Sequence, residues 1–233
     1  MDILKKLIKL SSIKSTKRIL KPNLTLLQLK NYPTSKVFGF DRGTPIDRYY
    51  IDQFLLKNRH YIKGNVLEVA DRDYSLKYGS KISNSIILHV KELDDPHSIK
   101  GNLETGEGIP ENMFDCFIFT QTLPFIYDVK IVVKNILKLL KPNGVALITT
   151  GGITPISRYD MDRWGHYWSF TDLSLRKLFE EVVIKENIKI ETFGNVKSCT
   201  FFLYGMAAEE MSNEELDLKD QNYPLAICAI ITK

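Results

Sequence analysis

Short apolar runs alternate with amphipathic segments along most of this chain, and that alternation constrains its fold more than any other feature. Phe114 to Thr120 is a mostly apolar run of the kind that is buried on both faces of a parallel sheet. Val66 to Ala70, Ser85 to Val90, His97 to Gly101, Val145 to Thr150, Ile188 to Phe193 and Leu225 to Thr232 read as further strands. Between them, Asp47 to Arg59, Val129 to Leu140 and Asp172 to Glu181 repeat apolar residues at helical spacing, and another helix is expected from about Thr200. Lys141-Pro142-Asn143-Gly144 is expected to stop the second of these helices before the strand that follows. Strands that alternate with helices imply an α/β fold, a mostly parallel sheet with crossover helices. Such a sheet places its ligands at the carboxyl ends of the strands, near the point where strand order reverses.

The formal net charge of +4 conceals an asymmetry. Residues 1–36 hold nine Lys or Arg against the single acid Asp2, a surplus of +8, so the remainder carries −4. A basic N-terminal arm, 1–36, therefore precedes a mildly acidic body, 37–233. In the arm, Ile3, Leu4, Leu7, Ile8 and Leu10 can share one helical face with lysines opposite or flanking. Such a helix suits packing on its own domain, attachment to an anionic membrane surface, or docking to a partner protein. Nucleic acid is disfavoured, because the acidic body shows no basic stripe with interleaved aromatics. The longest uncharged, mostly apolar run near the middle, Gly144 to Ile156, is shorter than the ~20 residues a membrane-spanning helix needs. The first residues lack the apolar core of a signal peptide. Cys116, Cys199 and Cys228 are odd in number and scattered, and read as buried reduced thiols of a cytosolic protein. The four histidines show no metal-ligand spacing, so no metal is expected.

Glu68 interrupts the apolar run Val66-Leu67-Glu68-Val69-Ala70, and a buried acid needs a partner or a task. Arg158 to Thr171 is the most unusual stretch, holding both tryptophans, Trp164 and Trp168, with Tyr159, Tyr167, Phe170, Asp160 and His166. Flat aromatic faces with interspersed polar groups suit a sugar ring; the bland alternative is a loop whose tryptophans pack under the sheet.

Several motifs together resemble the class I S-adenosylmethionine-dependent methyltransferases, from about Gly43 to the C-terminus. Val66-Leu67-Glu68-Val69 is similar to their first strand and its acidic turn, and Gly101-Asn102-Leu103 to the turn that touches adenine. Phe114-Asp115 with Thr120-Gln121-Thr122-Leu123 is similar to strand four and its substrate-facing loop, and Leu140-Lys141-Pro142-Asn143-Gly144 to the turn before strand five. More narrowly, Gly39 to Tyr50, Tyr159 to Thr171 and Gly194-Asn195-Val196 resemble a bacterial subgroup associated with glycosyltransferases and surface-polysaccharide gene clusters.

The resemblance implies a Rossmann-like, seven-stranded, mostly parallel sheet with helices on both faces, and S-adenosyl-L-methionine as cofactor. It implies methyl transfer to a hydroxyl of a sugar or glycan by a cytoplasmic protein, peripheral at the inner face of the membrane if the arm binds there. A glycosyltransferase is the implied partner. Arg48, Tyr49, Glu68, Ala70, Asp71, His89, Asn102, Leu103, Gln121 and Thr122 fall where that family holds its cofactor. Arg158, Trp164 and Trp168 are candidates for binding the acceptor, and His166 and Asp160 for taking its proton. The loop Ala70-Asp71-Arg72-Asp73-Tyr74 departs from the pattern: it has no glycine before Gly79, although glycine permits the closest backbone approach. The second strand ends in Leu88-His89-Val90 rather than an acid, leaving Glu92 as a substitute. These departures sustain a rival reading, a non-catalytic module of the same fold that binds or scaffolds beside a glycosyltransferase; a nucleotide-sugar enzyme is a third.

Overall fold

A computed structural model describes residues 31–233, so the helix expected in the arm lies outside the described residues. The chain divides into two units, Met1–Pro33 and Thr34–Lys233, and the body is the second. Its strands are β1 (Gly64–Val69), β2 (Ile82–His89), β3 (Ser98–Lys100), β4 (Phe114–Thr120), β5 (Leu140–Gly151), β6 (Ile188–Phe193) and β7 (Ala226–Thr232). They form one seven-stranded sheet in the order β3-β2-β1-β4-β5-β7-β6. The first five run parallel, and β7 lies antiparallel between β5 and β6.

The helices are α1 (Ile46–Lys57), α2 (Asp73–Tyr78), α3 (Val129–Leu139), α4 (Arg158–Met161), α5 (Asp172–Glu180), α6 (Val196–Leu203) and α7 (Asn213–Asp217). Alternation along the strands sends side chains to two cores. Phe117 and Phe119 of β4 join Val132, Val133, Ile136 and Leu139 of α3 and Leu175 and Phe179 of α5 on one face. Cys116 and Ile118 point the other way, to Tyr50, Ile51, Phe54 and Leu55 of α1 and Phe202 of α6. Burying each large apolar side chain contributes about 1.5–3 kcal/mol, so both layers are held chiefly by these stripes. All three cysteines are buried free thiols, and burial raises the pKa of each.

Caps decide where the helices begin. The Asp128 carboxylate accepts from Ile131 N at 3.2 Å and starts α3. Thr171 and Ser174 form a reciprocal capping box on α5. Asn195 starts α6 earlier than expected, at Val196 rather than Thr200: its Oδ1 accepts from Lys197 N and Ser198 N, both at 3.0 Å. The same amide donates to Glu215 O and Leu218 O. Gly194-Asn195-Val196 is thus a joint between β6, α6 and the segment around α7. The expected stop at Lys141 to Gly144 is no separate loop: β5 begins directly after α3, with Asn143 in a left-handed conformation, φ 64°.

Candidate active site

Strand order reverses between β1 and β4, because the chain runs outward through β2 and β3 and then returns to β4 and β5. At the carboxyl ends of these strands lies a cavity of about 1130 Å³. Single-ligand sites usually occupy about 300–1,000 Å³, so this one lies just above the upper end of that range. Two non-glycine residues at its floor have positive φ: Ala70 at 72°, just after β1, and Gln121 at 47°, just after β4. Each left-handed alanine or glutamine costs about 1–2 kcal/mol, and sheet bonds impose the geometry. Ala70 N donates to Leu88 O, and Gln121 N to Thr149 O. The glycine missing from the sequence is therefore replaced by an alanine held in the conformation that glycine favours.

Of the expected cofactor residues, the structure brings Arg48, Ala70, Asp71, His89, Asn102, Leu103, Gln121 and Thr122 to the cavity wall. Arg48 Nη1 donates to the Tyr74 hydroxyl at 3.2 Å. Asp47 beside it also lines the cavity, and burial raises its pKa despite the adjacent guanidinium. Gln121 Nε2 is buried with no hydrogen-bond partner among the described residues, a donor that awaits an acceptor.

Glu68 sits behind the wall. It is 2% exposed and does not line the cavity; its carboxylate oxygens accept from Tyr74 N at 3.1 Å and Ser75 N at 2.9 Å. It clamps the first turn of α2 against β1, and burial drives its pKa from 4.5 up to about 7 against those two donors. Tyr49 is not among the lining residues, and its hydroxyl donates to Asp217 at 2.9 Å. Asn102 Oδ1 accepts from Glu104 N at 2.8 Å and from Thr105 N at 3.4 Å, while its amide NH₂ makes no hydrogen bond among the described residues. Glu92 does not reach the wall, whereas Asp71, Asp73 and Glu104 do.

The partly exposed Trp164 and Trp168 line the mouth of the same cavity, and Asp160 and His166 line it too. Trp168 is no core residue: 38% exposed, it donates from Nε1 to the Ile126 and Tyr127 carbonyls at 3.1 Å. The Tyr127 ring stacks near it, 6.1 Å between centroids, and Lys91 lies over Trp164. Arg158 is exposed, is not among the lining residues and donates to Met161 Sδ. Not singled out from the sequence were Phe38, Phe40, Phe202, Tyr74 and Ser157, which also line the cavity. Phe38 immediately precedes, and Phe40 lies within, the Gly39 to Tyr50 segment that carried the narrower resemblance, which was the available signal. Among the described residues, no His, Cys, Asp and Glu cluster could hold a metal ion, and no helix is long and apolar enough to cross a membrane.

Comparison with known proteins agrees with this geometry. Residues 63–148 match the family model described as "Methyltransferase domain". A SAM-dependent methyltransferase from Archaeoglobus fulgidus superposes with a TM-score of 0.53 at 15% identity, covering 80% of this chain and 94% of its own. The [4+2]-cyclase SpnF superposes with a TM-score of 0.51 at 16% identity, covering 87% and 86%. Comparison with curated proteins finds no match. The body thus has the Rossmann-like methyltransferase fold, and its central part matches the methyltransferase-domain model. S-adenosylmethionine is the cofactor such domains use, and the wall's donors and acids match the carboxylate, amine, ribose hydroxyls and adenine of that molecule.

Proposed function

We propose that the protein binds S-adenosylmethionine at the β1–β4 reversal and methylates a hydroxyl of a sugar or glycan. The observation that carries this reading is one cavity that joins two chemistries. Its inner part offers Arg48 for a carboxylate, Asp71 for hydroxyls and Gln121 Nε2 for an acceptor atom; its mouth offers Trp164 and Trp168 beside Asp160 and His166. Arg48 suits the cofactor carboxylate, being able to add a charged hydrogen bond while keeping Tyr74. The cofactor would supply an electrophilic methyl group, and the protein's part is to align a hydroxyl, exclude water and accept a proton. Indole faces suit the C–H face of a pyranose, and neighbouring polar groups suit its hydroxyls.

The narrower subgroup, a glycosyltransferase partner and a cytoplasmic place at the inner membrane face are parts of the same proposal, supported by Gly39 to Tyr50 and the basic arm. The rival reading is a non-catalytic module; SpnF, a cyclase of the same fold, illustrates that the fold alone does not fix the reaction. Incubation of the full-length chain with methyl-tritiated S-adenosylmethionine and a panel of p-nitrophenyl glycosides tests the proposal. Label is expected in at least one glycoside; cofactor binding with no transfer to any of them would favour the non-catalytic module.

A further inference from the structure

We propose that Asp160, held by Ser157, is the group that takes the acceptor's proton, and that His166 works beside it as a neutral hydrogen-bond donor through Nε2–H. This rests on the methyl-transfer reading and divides the roles within it. Ser157 caps α4 and is 6% exposed. Its hydroxyl donates to Asp160 Oδ2 at 2.5 Å, and its Oγ accepts from Asp160 N at 3.2 Å. The carboxylate is thereby fixed through one oxygen, and no protein group among the described residues bonds the other. The main-chain N–H of Ser157 points at His166 Nδ1, 3.3 Å away.

A ring nitrogen that accepts a hydrogen bond carries no proton, so the neutral ring keeps its proton on Nε2. The opposite tautomer would set one N–H against another. Nε2 has no bonding partner among the described residues, and the ring is packed edge-on to Phe125 with centroids 5.1 Å apart. Burial lowers the pKa of His166, with Asp160 as the opposing influence, so the neutral form predominates at pH 7. An imidazole in that state offers a donor to the acceptor's oxygens and has no free lone pair with which to serve as base. Asp160 has one. As the acceptor oxygen bonds to the methyl carbon, its O–H bond breaks toward Asp160 and the carbon–sulfur bond leaves its pair on sulfur. Methyl ether, S-adenosylhomocysteine and a protonated carboxyl, which then releases its proton to water, account for every atom. Ser157 is a positioning residue, because it orients both groups.

Long-range ¹H–¹⁵N correlation on the full-length chain, labelled with ¹⁵N-histidine, tests the tautomer directly, the His166 peaks being those absent from His166→Gln. Nδ1 is expected to show the unprotonated shift and Nε2 the protonated one at pH 7; a protonated Nδ1 would overturn the assignment. In the tritium assay, Asp160→Asn should lose about a hundredfold or more in rate, whereas His166→Gln, which keeps a donor, should lose less than about tenfold. The reverse ranking would also overturn it. Ser157→Ala should slow transfer yet leave the His166 nitrogen pattern intact, because the main-chain N–H survives, and Ser157→Thr should restore the rate. Calorimetry with S-adenosylhomocysteine keeps the two levels apart. Wild type and these variants should bind it alike, and failure of the wild type to bind would count against the methyl-transfer reading instead.

Discussion

Replacing Glu68 by glutamine should change how stability depends on pH, and the size of the change follows from the clamp on α2. The carboxyl is buried and its pKa stands at about 7 instead of 4.5. A native acid with a raised pKa binds more protons than the unfolded chain between those values, so stability falls as pH climbs from 4.5 and levels off above 7. At about 1.36 kcal/mol per pH unit, the loss is on the order of 3 kcal/mol. Glutamine does not titrate. It leaves one of the two α2 N–H groups facing an NH₂, a penalty of about 1–3 kcal/mol that is the same at every pH. Urea unfolding of both proteins at pH 5 and pH 8 isolates the effect, because other titrating groups cancel in the difference. Glu68→Gln is expected to be the less stable protein at pH 5 and to gain about 3 kcal/mol relative to wild type by pH 8. A stability difference that stays constant across that range would refute the reasoning and make Glu68 an ordinary ionised cap.

Ala70→Gly should relieve the left-handed strain of about 1–2 kcal/mol, less about 0.4–1 kcal/mol for the freer unfolded chain, for a net gain of up to ~1.6 kcal/mol in urea unfolding. Asn195→Ala breaks the joint between α6 and the α7 segment, and about 2–4 kcal/mol should be lost, visible as a melting temperature lower by roughly 5–15 °C. Gln121→Leu breaks no protein hydrogen bond of its Nε2. It should leave stability within about 1 kcal/mol while weakening S-adenosylhomocysteine binding about 2- to 10-fold by calorimetry. Full-length protein should co-sediment with anionic vesicles at low salt and be released at high salt, and deletion of residues 1–36 should abolish the effect.

The sheet was legible because burial on both faces leaves uninterrupted apolar runs: Phe114–Thr120 and Ile188–Phe193 are strands at the expected bounds. Boundaries set by side-chain caps were less legible, since the role of Asn195 depends on carbonyls about twenty residues away. α2 was hidden for a similar reason, its first turn being held by Glu68 from another element. Within the site, strand ends found most of the cavity wall, because topology alone puts them there. Direction was not legible. Glu68 and Gln121 both sit at or near the end of a strand, yet one carboxylate is wholly engaged by α2 while the other's amide nitrogen faces no partner. Ala70 shows why a missing glycine does not by itself remove a site: hydrogen bonding to Leu88 imposes the conformation on alanine.

The account depends most on occupation of the β1–β4 cavity by a cofactor. Isothermal titration of the full-length chain with S-adenosylhomocysteine tests that claim directly. Saturable binding is expected, displaced by S-adenosylmethionine and weakened in Arg48→Ala, whose guanidinium lines the wall. Absence of binding for both compounds at millimolar concentration would contradict the assignment of the cavity and, with it, the reading of this protein as a methyltransferase.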